Sequence, residues 1–146
     1  MLWLAAVVVI VVAVIVALRI RRHRDAREFE QSSVDAEMLR RLLDGGVTLV
    51  DVRQPLDLLA YSEMIPGAKR IPPKELLADP SLLPRDAEVV LYCTCEAEKT
   101  SLEILRYARK LGFTRLKVLR GGLAGWKAKG YPVDQYRESF RLDTVV

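Results

Sequence analysis

The pattern of apolar and polar positions changes character several times along the chain, and each change marks an element. Leu2 to Leu18 (LWLAAVVVIVVAVIVAL) holds no charge and no proline. Extended by Ile20, with Arg19 laying its stem along apolar surface, a helix rising ~1.5 Å per residue over this run comes close to the ~30 Å hydrocarbon core of a bilayer. Val and Ile are poor helix formers in water, but in lipid the backbone must bond to itself, so a helix follows. Arg21 to Gln31 is charged and apolar-poor, and reads as a linker or a helical continuation. Ser32-Ser33 offers an N-cap for a helix through Leu43, with Val34, Met38, Leu39 and Leu42 on one face and Asp44-Gly45-Gly46 as its stop. Val47 to Val52 is a short apolar strand, ended by Arg53-Gln54-Pro55 because proline cannot donate to a ladder. Ile65 to Pro73 is extended and punctuated by prolines around a small strand, and Pro73 to Ala78 is a helix with proline in its first turn. Val89 to Tyr92 reads as a buried strand and Thr100 to Leu111 as an amphipathic helix closed by Gly112. Leu116 to Leu119 is a further strand. Gly121-Gly122 then admits a last helix carrying Leu123 and Trp126, ended by Gly130-Tyr131-Pro132.

Short apolar strands alternating with helices predict an α/β fold, a parallel sheet flanked on both faces by helices and preceded by one transmembrane helix. The chain divides into an anchor at 1–20, a juxtamembrane linker at 21–31, the α/β domain at 32–135 and a tail at 136–146. In parallel sheets, functional residues gather beyond the carboxyl ends of strands. Cys93 stands at one such end and Asp51-Val52-Arg53 at another. Leu123, Trp126 and Tyr92 read as core.

Charge refines the picture at the N-terminus. The formal charge is +4 and the pI about 9.2, and Arg19, Arg21, Arg22, Arg24 and Arg27 cluster beside the apolar run. No basic face interleaved with aromatics is visible elsewhere, so nucleic acid is not an expected partner. No basic residue precedes the span and five arginines follow it, which places the N-terminus outside and the domain in the cytoplasm of a single-pass cell-membrane protein. Trp3 suits one interface, and the arginines suit the other and can attract anionic lipid head groups. A cleaved signal peptide fits less well, for want of a basic n-region and an A-x-A site before the arginines. The N-terminal helix therefore takes membrane lipid as its partner, and a cytoplasmic domain keeps its thiols reduced.

Both cysteines, Cys93 and Cys95, fall on the loop between the Val89–Tyr92 strand and the next helix. Strand, short loop and helix aim backbone N–H groups and the positive helix end at one point, where a thiolate is favoured. The chain's one histidine, His23, lies beside the membrane run. A Cys–His hydrolase and a His-ligated metal site are thereby nearly excluded, and no metal or cofactor is expected.

In order and spacing, four stretches resemble a single rhodanese (sulfurtransferase) domain over roughly residues 32 to 135. These are Leu49-Val50-Asp51-Val52-Arg53; Ile65-Pro66-Gly67-Ala68 with Ile71-Pro72; Val90-Leu91-Tyr92-Cys93 with Thr100-Ser101; and Gly121-Gly122-Leu123-Ala124-Gly125-Trp126 with Gly130-Tyr131-Pro132-Val133. The resemblance implies the rhodanese α/β fold and a persulfide on the loop cysteine. This chain departs from the family's loop. No arginine or glycine lies between Cys93 and Ser101, Glu96 and Glu98 do, and Lys99 is the one cation. Strand context favours Cys93 as the nucleophile, while loop length favours Cys95, with Thr100 where the family has arginine. Glu63-Met64 replaces the family's Gly-His.

The chemistry this implies has two halves. Cys93 takes the outer sulfur of a small sulfur donor, and a protein thiol or other acceptor removes it. The amides of Thr94, Cys95, Glu96, Ala97, Glu98, Lys99, Thr100 and Ser101, the hydroxyls of Thr100 and Ser101, and the Lys99 cation would hold the negative sulfur. Glu96 and Glu98 act against a thiolate and repel dianions, so thiosulfate is expected to be a weak donor. Pointing outward as solvated residues, they would be neutral to the chemistry. Cys95 can resolve a persulfide, pair with Cys93 in an easily reduced disulfide, or be the nucleophile. Asp51 and Arg53 either orient the site or form a structural ion pair, with Asp57 as a candidate partner. The alternatives are a dithiol redox protein, a rhodanese-like binding module without catalysis in which Cys93 is a buried inert thiol, and a cysteine-x5-arginine phosphatase or arsenate reductase. The last lacks its arginine, since Lys99 stands sixth after Cys93. The catalytic reading expects a sulfur open to small reactants.

Overall fold

The computed structural model describes residues 2–94 and 99–137. The chain divides into two compact units, residues 1–32 and 33–146. The first is one continuous helix, α1 (Leu2–Ser32). The charged stretch after the apolar run is therefore helical continuation. By length and composition α1 can cross a membrane, and its apolar residues from Trp3 to Ile20 are exposed.

The second unit is built on a five-stranded parallel sheet of order β1-β6-β5-β2-β4. Its strands are β1 (Ser33–Val34), β2 (Thr48–Asp51), β4 (Lys69–Arg70), β5 (Val89–Tyr92) and β6 (Leu116–Leu119). All four residues of β5 are buried, as expected of a strand covered on both faces. On one face Leu49, Val90, Tyr92 and Leu119 pack against Leu39 of α2 (Ala36–Asp44) and Leu123 and Trp126 of α6 (Gly122–Ala128). On the other, α5 (Lys99–Lys110) lies over β5 and β6, buries Ile104, Leu105 and Ala108, and packs beside α4 (Pro73–Ala78). The expected core residues Tyr92, Leu123 and Trp126 are all buried.

The structure adjusts several sequence boundaries. Ser33 does not cap α2. Ser33-Val34 instead pairs with Val118-Leu119 of β6, and the cap is Asp35, whose carboxylate accepts the Met38 N–H at 2.7 Å. After β2 the chain enters α3 (Pro55–Ala60), where Pro55 opens a helix as well as ending the strand. Glu63–Met64 forms β3, which pairs antiparallel with β7 (Asp134–Gln135), so part of the stretch after residue 133 is an ordered ribbon. Glu63 also forms an ion pair with Lys127 of α6.

Candidate active site

Cys93 follows β5 directly, at the carboxyl end of the strand flanked by β2 and β6. The run Val-Val-Leu-Tyr forms that strand because its apolar side chains meet helices on both faces. Helix α5 begins at Lys99, so the loop from Cys93 lies between the end of the central strand and the N-terminus of a twelve-residue helix. That is the position where helix dipole and unpaired N–H groups favour an anion. Of the residues expected at the site, Cys95, Glu96, Ala97 and Glu98 lie outside the described residues. Lys99 is exposed, Thr100 and Thr94 are half-buried, and Ser101 is buried.

Cys93 itself is 2% exposed, so the expected open sulfur is not what the structure holds. The main chain of the cysteine is also packed from behind. Gly122 approaches its backbone so closely that a Cβ there would collide with the Cys93 carbonyl oxygen, and Gly122 itself adopts a φ of +50°. The β6–α6 turn thus packs directly on the residue that ends β5. Two hydroxyls on either side of the loop are buried, Thr94 Oγ1 and Ser101 Oγ, and neither has a hydrogen-bond partner among the described residues. An unpaired buried polar group costs about 1–3 kcal/mol, so each of these hydroxyls is a donor whose hydrogen bond is still to be made.

The carboxyl end of β2 contributes a fully buried ion pair. Arg53 and Asp51 are both 0% exposed, and Arg53 Nη2 lies 2.5 Å from Asp51 Oδ2. Arg53 Nε donates to both carboxylate oxygens at 2.9 Å, and its Nη1 donates to the Tyr61 carbonyl at 2.6 Å. The partner of Arg53 is thus Asp51, and Asp57 acts on it only through its more distant charge. Burial opposes the Arg53 cation, but the hydrogen bonds and charge of Asp51 outweigh it and raise its pKa. Tyr92, opposite Asp51 in the ladder, donates its hydroxyl to Asp51 Oδ2 at 3.0 Å and accepts the Ile65 N–H at 3.3 Å. Burial, then the Asp51 charge, push the Tyr92 phenol well above its ordinary range. Arg70 Nη1 adds a bond to the Asp51 carbonyl at 3.0 Å. Asp51 and Arg53 therefore spend their polar groups inside the protein, tying the ends of β2, β4 and β5 together next to Cys93.

Sequence reasoning missed three contributors: the Tyr92 hydroxyl, Arg70 and Gly122. The only advance signal was the Gly-Gly pair after β6, since paired glycines after a strand mark a turn or a close backbone approach. Among the described residues no cluster of His, Cys, Asp and Glu could hold a metal ion.

Comparison with known proteins bears on the same region. The family described as rhodanese-like domain matches residues 35–129. A sulfurtransferase of Allochromatium vinosum is 35% identical over 104 residues, covering 70% of this chain and 94% of that protein. An HTH-type transcriptional regulator of Mycobacterium tuberculosis is 38% identical over 106 residues, 73% of this chain but 46% of the regulator. A rhodanese-related protein of Thermoplasma volcanium superposes with a TM-score of 0.60 at 27% identity, covering 70% of this chain and 96% of that one.

Proposed function

Because the chain belongs to the rhodanese-like domain family, we propose that it is a sulfurtransferase that carries sulfur as a persulfide on Cys93, anchored by α1 to the cytoplasmic face of a membrane. The observation that supports the chemistry is the pair of buried, unpartnered hydroxyls that bound the loop, Thr94 next to Cys93 in the chain and Ser101 in the first turn of α5. A terminal persulfide sulfur is an anion that accepts hydrogen bonds, and these two groups are donors. In the first half-reaction the Cys93 thiolate attacks the outer sulfur of the donor. The bond from that sulfur to the rest of the donor breaks, the leaving group departs with the electron pair, and Cys93–S–S⁻ remains. In the second half, an acceptor nucleophile attacks the outer sulfur and the Cys93 thiolate leaves. The α5 N-terminus favours the anion in both states, so no separate base is required.

Glu96 and Glu98 place carboxylates in the loop, which favours a neutral or protein-borne donor over thiosulfate. Thr94, Cys95, Glu96, Ala97, Glu98, Lys99, Thr100 and Ser101 are the residues assigned to sulfur binding in this reading. Asp51 and Arg53 act as positioning residues beneath it. Length and composition of α1 support the anchor, and the arginines that follow its apolar run support a cytoplasmic domain.

The test is intact-protein mass spectrometry after incubation with thiosulfate and, separately, with an alkyl hydropersulfide, from which Cys93 takes the outer sulfur and an alkyl thiolate leaves. The expected result is a gain of one sulfur, faster with the hydropersulfide, lost in Cys93→Ser and retained in Cys95→Ser. Retention in Cys93→Ser moves the nucleophile to Cys95. Loss of two hydrogens without added sulfur makes the pair a redox dithiol. No change with either donor overturns catalysis and leaves a binding module.

A further inference from the structure

The five arginines that follow the apolar run of α1 have no part in the sulfur chemistry. They stand on unbroken helix, because α1 continues through Ser32, and this fixes the directions of their side chains. At about 100° per residue, Arg19, Arg21, Arg22, Arg24 and Arg27 point to about 0°, 200°, 300°, 140° and 80° around the axis, with no gap wider than about 100°. All five are exposed. At 1.5 Å per residue they form a collar about 12 Å deep, and not the one-sided basic stripe of a helix lying flat on a surface. Charge is also sorted along the axis. Four of the arginines fall between Leu18 and Asp25 with no carboxylate among them, and Asp25, Glu28 and Glu30 come after. Those three carboxylates already have interaction partners. Were every one of them spent on the collar, two of its five cations would still be left over. The permanent cations of the stretch are all arginines, and lysine first occurs at Lys69. A guanidinium forks a phosphate with two parallel N–H donors, where an ammonium offers a point charge.

Resting on the reading of α1 as a membrane anchor, we infer that this collar binds the headgroups of anionic phospholipids. The occupant follows from what stands next to it. Trp3 to Leu18 is apolar, fully exposed and part of a helix long enough to cross a bilayer. The residues directly after it therefore lie at the depth of the headgroups, between the ~30 Å hydrocarbon core and water. Phosphates at that depth surround the helix, and a collar meets them on every side. A nucleic acid or an acidic protein approaches from one side and leaves much of the ring unused. Zwitterionic headgroups present the same phosphate but carry a cation of their own, so the surplus charge of the collar selects lipids that lack one. The carboxylates stand about 9–17 Å beyond Arg19, past the ~8 Å over which a charged surface acts in physiological salt. Arginines among headgroups and carboxylates in water together set the depth at which α1 sits.

The experiment is native mass spectrometry of the full chain released from nanodiscs of phosphatidylcholine with a minor share of phosphatidylglycerol. Phosphatidylglycerol is expected on the released chain at about five times its share of the bilayer, the worth of one arginine near a charged surface. Raising the ammonium acetate concentration should reduce that enrichment, and Arg19→Gln/Arg21→Gln/Arg22→Gln/Arg24→Gln should abolish it. Arg22→Gln/Arg24→Gln is the milder companion should the fourfold variant fail to insert, and it should lower the enrichment in the same direction. Lipids retained in proportion to the bilayer, or an enrichment unchanged in both variants, overturn the inference. Inorganic phosphate that binds the chain in pure phosphatidylcholine nanodiscs and displaces phosphatidylglycerol from mixed ones also overturns it, by making the collar a site for free phosphate. A chain that never enters the nanodisc fails the anchor itself, whereas one that enters without lipid preference keeps the anchor and loses the collar. No sulfur donor is present, so persulfide loading has no bearing on the result.

Discussion

The hydroxyl of Tyr92 sits between an acceptor and a donor from two other segments, Asp51 Oδ2 and the Ile65 N–H, one residue before Cys93. Replacing it by phenylalanine keeps the buried ring but strips Asp51 of one donor and Ile65 of its acceptor. The expected cost of Tyr92→Phe is about 1–3 kcal/mol at neutral pH, the penalty for buried groups left unpaired, read as a shift in urea midpoint. The pH dependence follows from the raised phenol. In the unfolded chain a tyrosine loses its proton near its ordinary value of 10.0, while folded Tyr92 keeps it. Above pH 10 the folded state therefore binds more protons than the unfolded one, and stability falls as pH rises. Urea midpoints measured from pH 8 to 11 should decline at the alkaline end for the natural chain, and less steeply for Tyr92→Phe. An identical slope in the two proteins would remove Tyr92 as the source.

The turn between β6 and α6 is the element on which the cysteine rests. Gly121 and Gly122 both take positive φ, and Gly122 has no room for a Cβ against the Cys93 carbonyl. Gly122→Ala should cost about 1–3 kcal/mol in thermal or chemical denaturation and reduce persulfide loading. Gly46→Ala, also at positive φ but with nothing within 4 Å, should be destabilised by backbone strain and load normally. Loading by Gly122→Ala equal to the natural chain's would show that Cys93 tolerates displacement. At this scale the sequence was informative where signals are local. The run Val89–Tyr92, the proline-led helix Pro73–Ala78 and the strand Leu116–Leu119 all lie where periodicity and turn residues put them. It was silent where an element exists only through distant pairing. Ser33-Val34 is a strand because β6 lies beside it, and Glu63-Met64 because the chain returns at Asp134-Gln135. Two residues carry no alternation to read. The candidate site divides the same way. Cys93 at a strand tip and Asp51 near Arg53 are local patterns, whereas the Gly122–Cys93 approach joins segments far apart in the chain. Tyr92 looked like core because alternation reports which face a side chain takes and says nothing of what its hydroxyl meets.

Across the whole molecule, the chain joins a helix composed like a membrane span to a sheet domain of its own. If α1 anchors the protein, the full chain should stay with the membrane pellet through alkaline carbonate extraction, and a chain lacking residues 1–20 should move to the soluble fraction. Protease added outside sealed cells should leave the sheet domain intact, and digestion there would reverse the orientation. The far end of the domain carries a practical lesson through the β3–β7 ribbon. The family match stops at residue 129, yet the Trp126 indole N–H donates to the Pro132 carbonyl at 2.7 Å, the Tyr131 ring packs 4.7 Å from that of Trp126, and Gln135 pairs with Glu63. An expression clone trimmed to the matched stretch would keep the cysteine loop and α6 and still amputate the clasp over the core tryptophan. It would also bare a strand edge to self-association, a solubility problem created by the choice of stop codon.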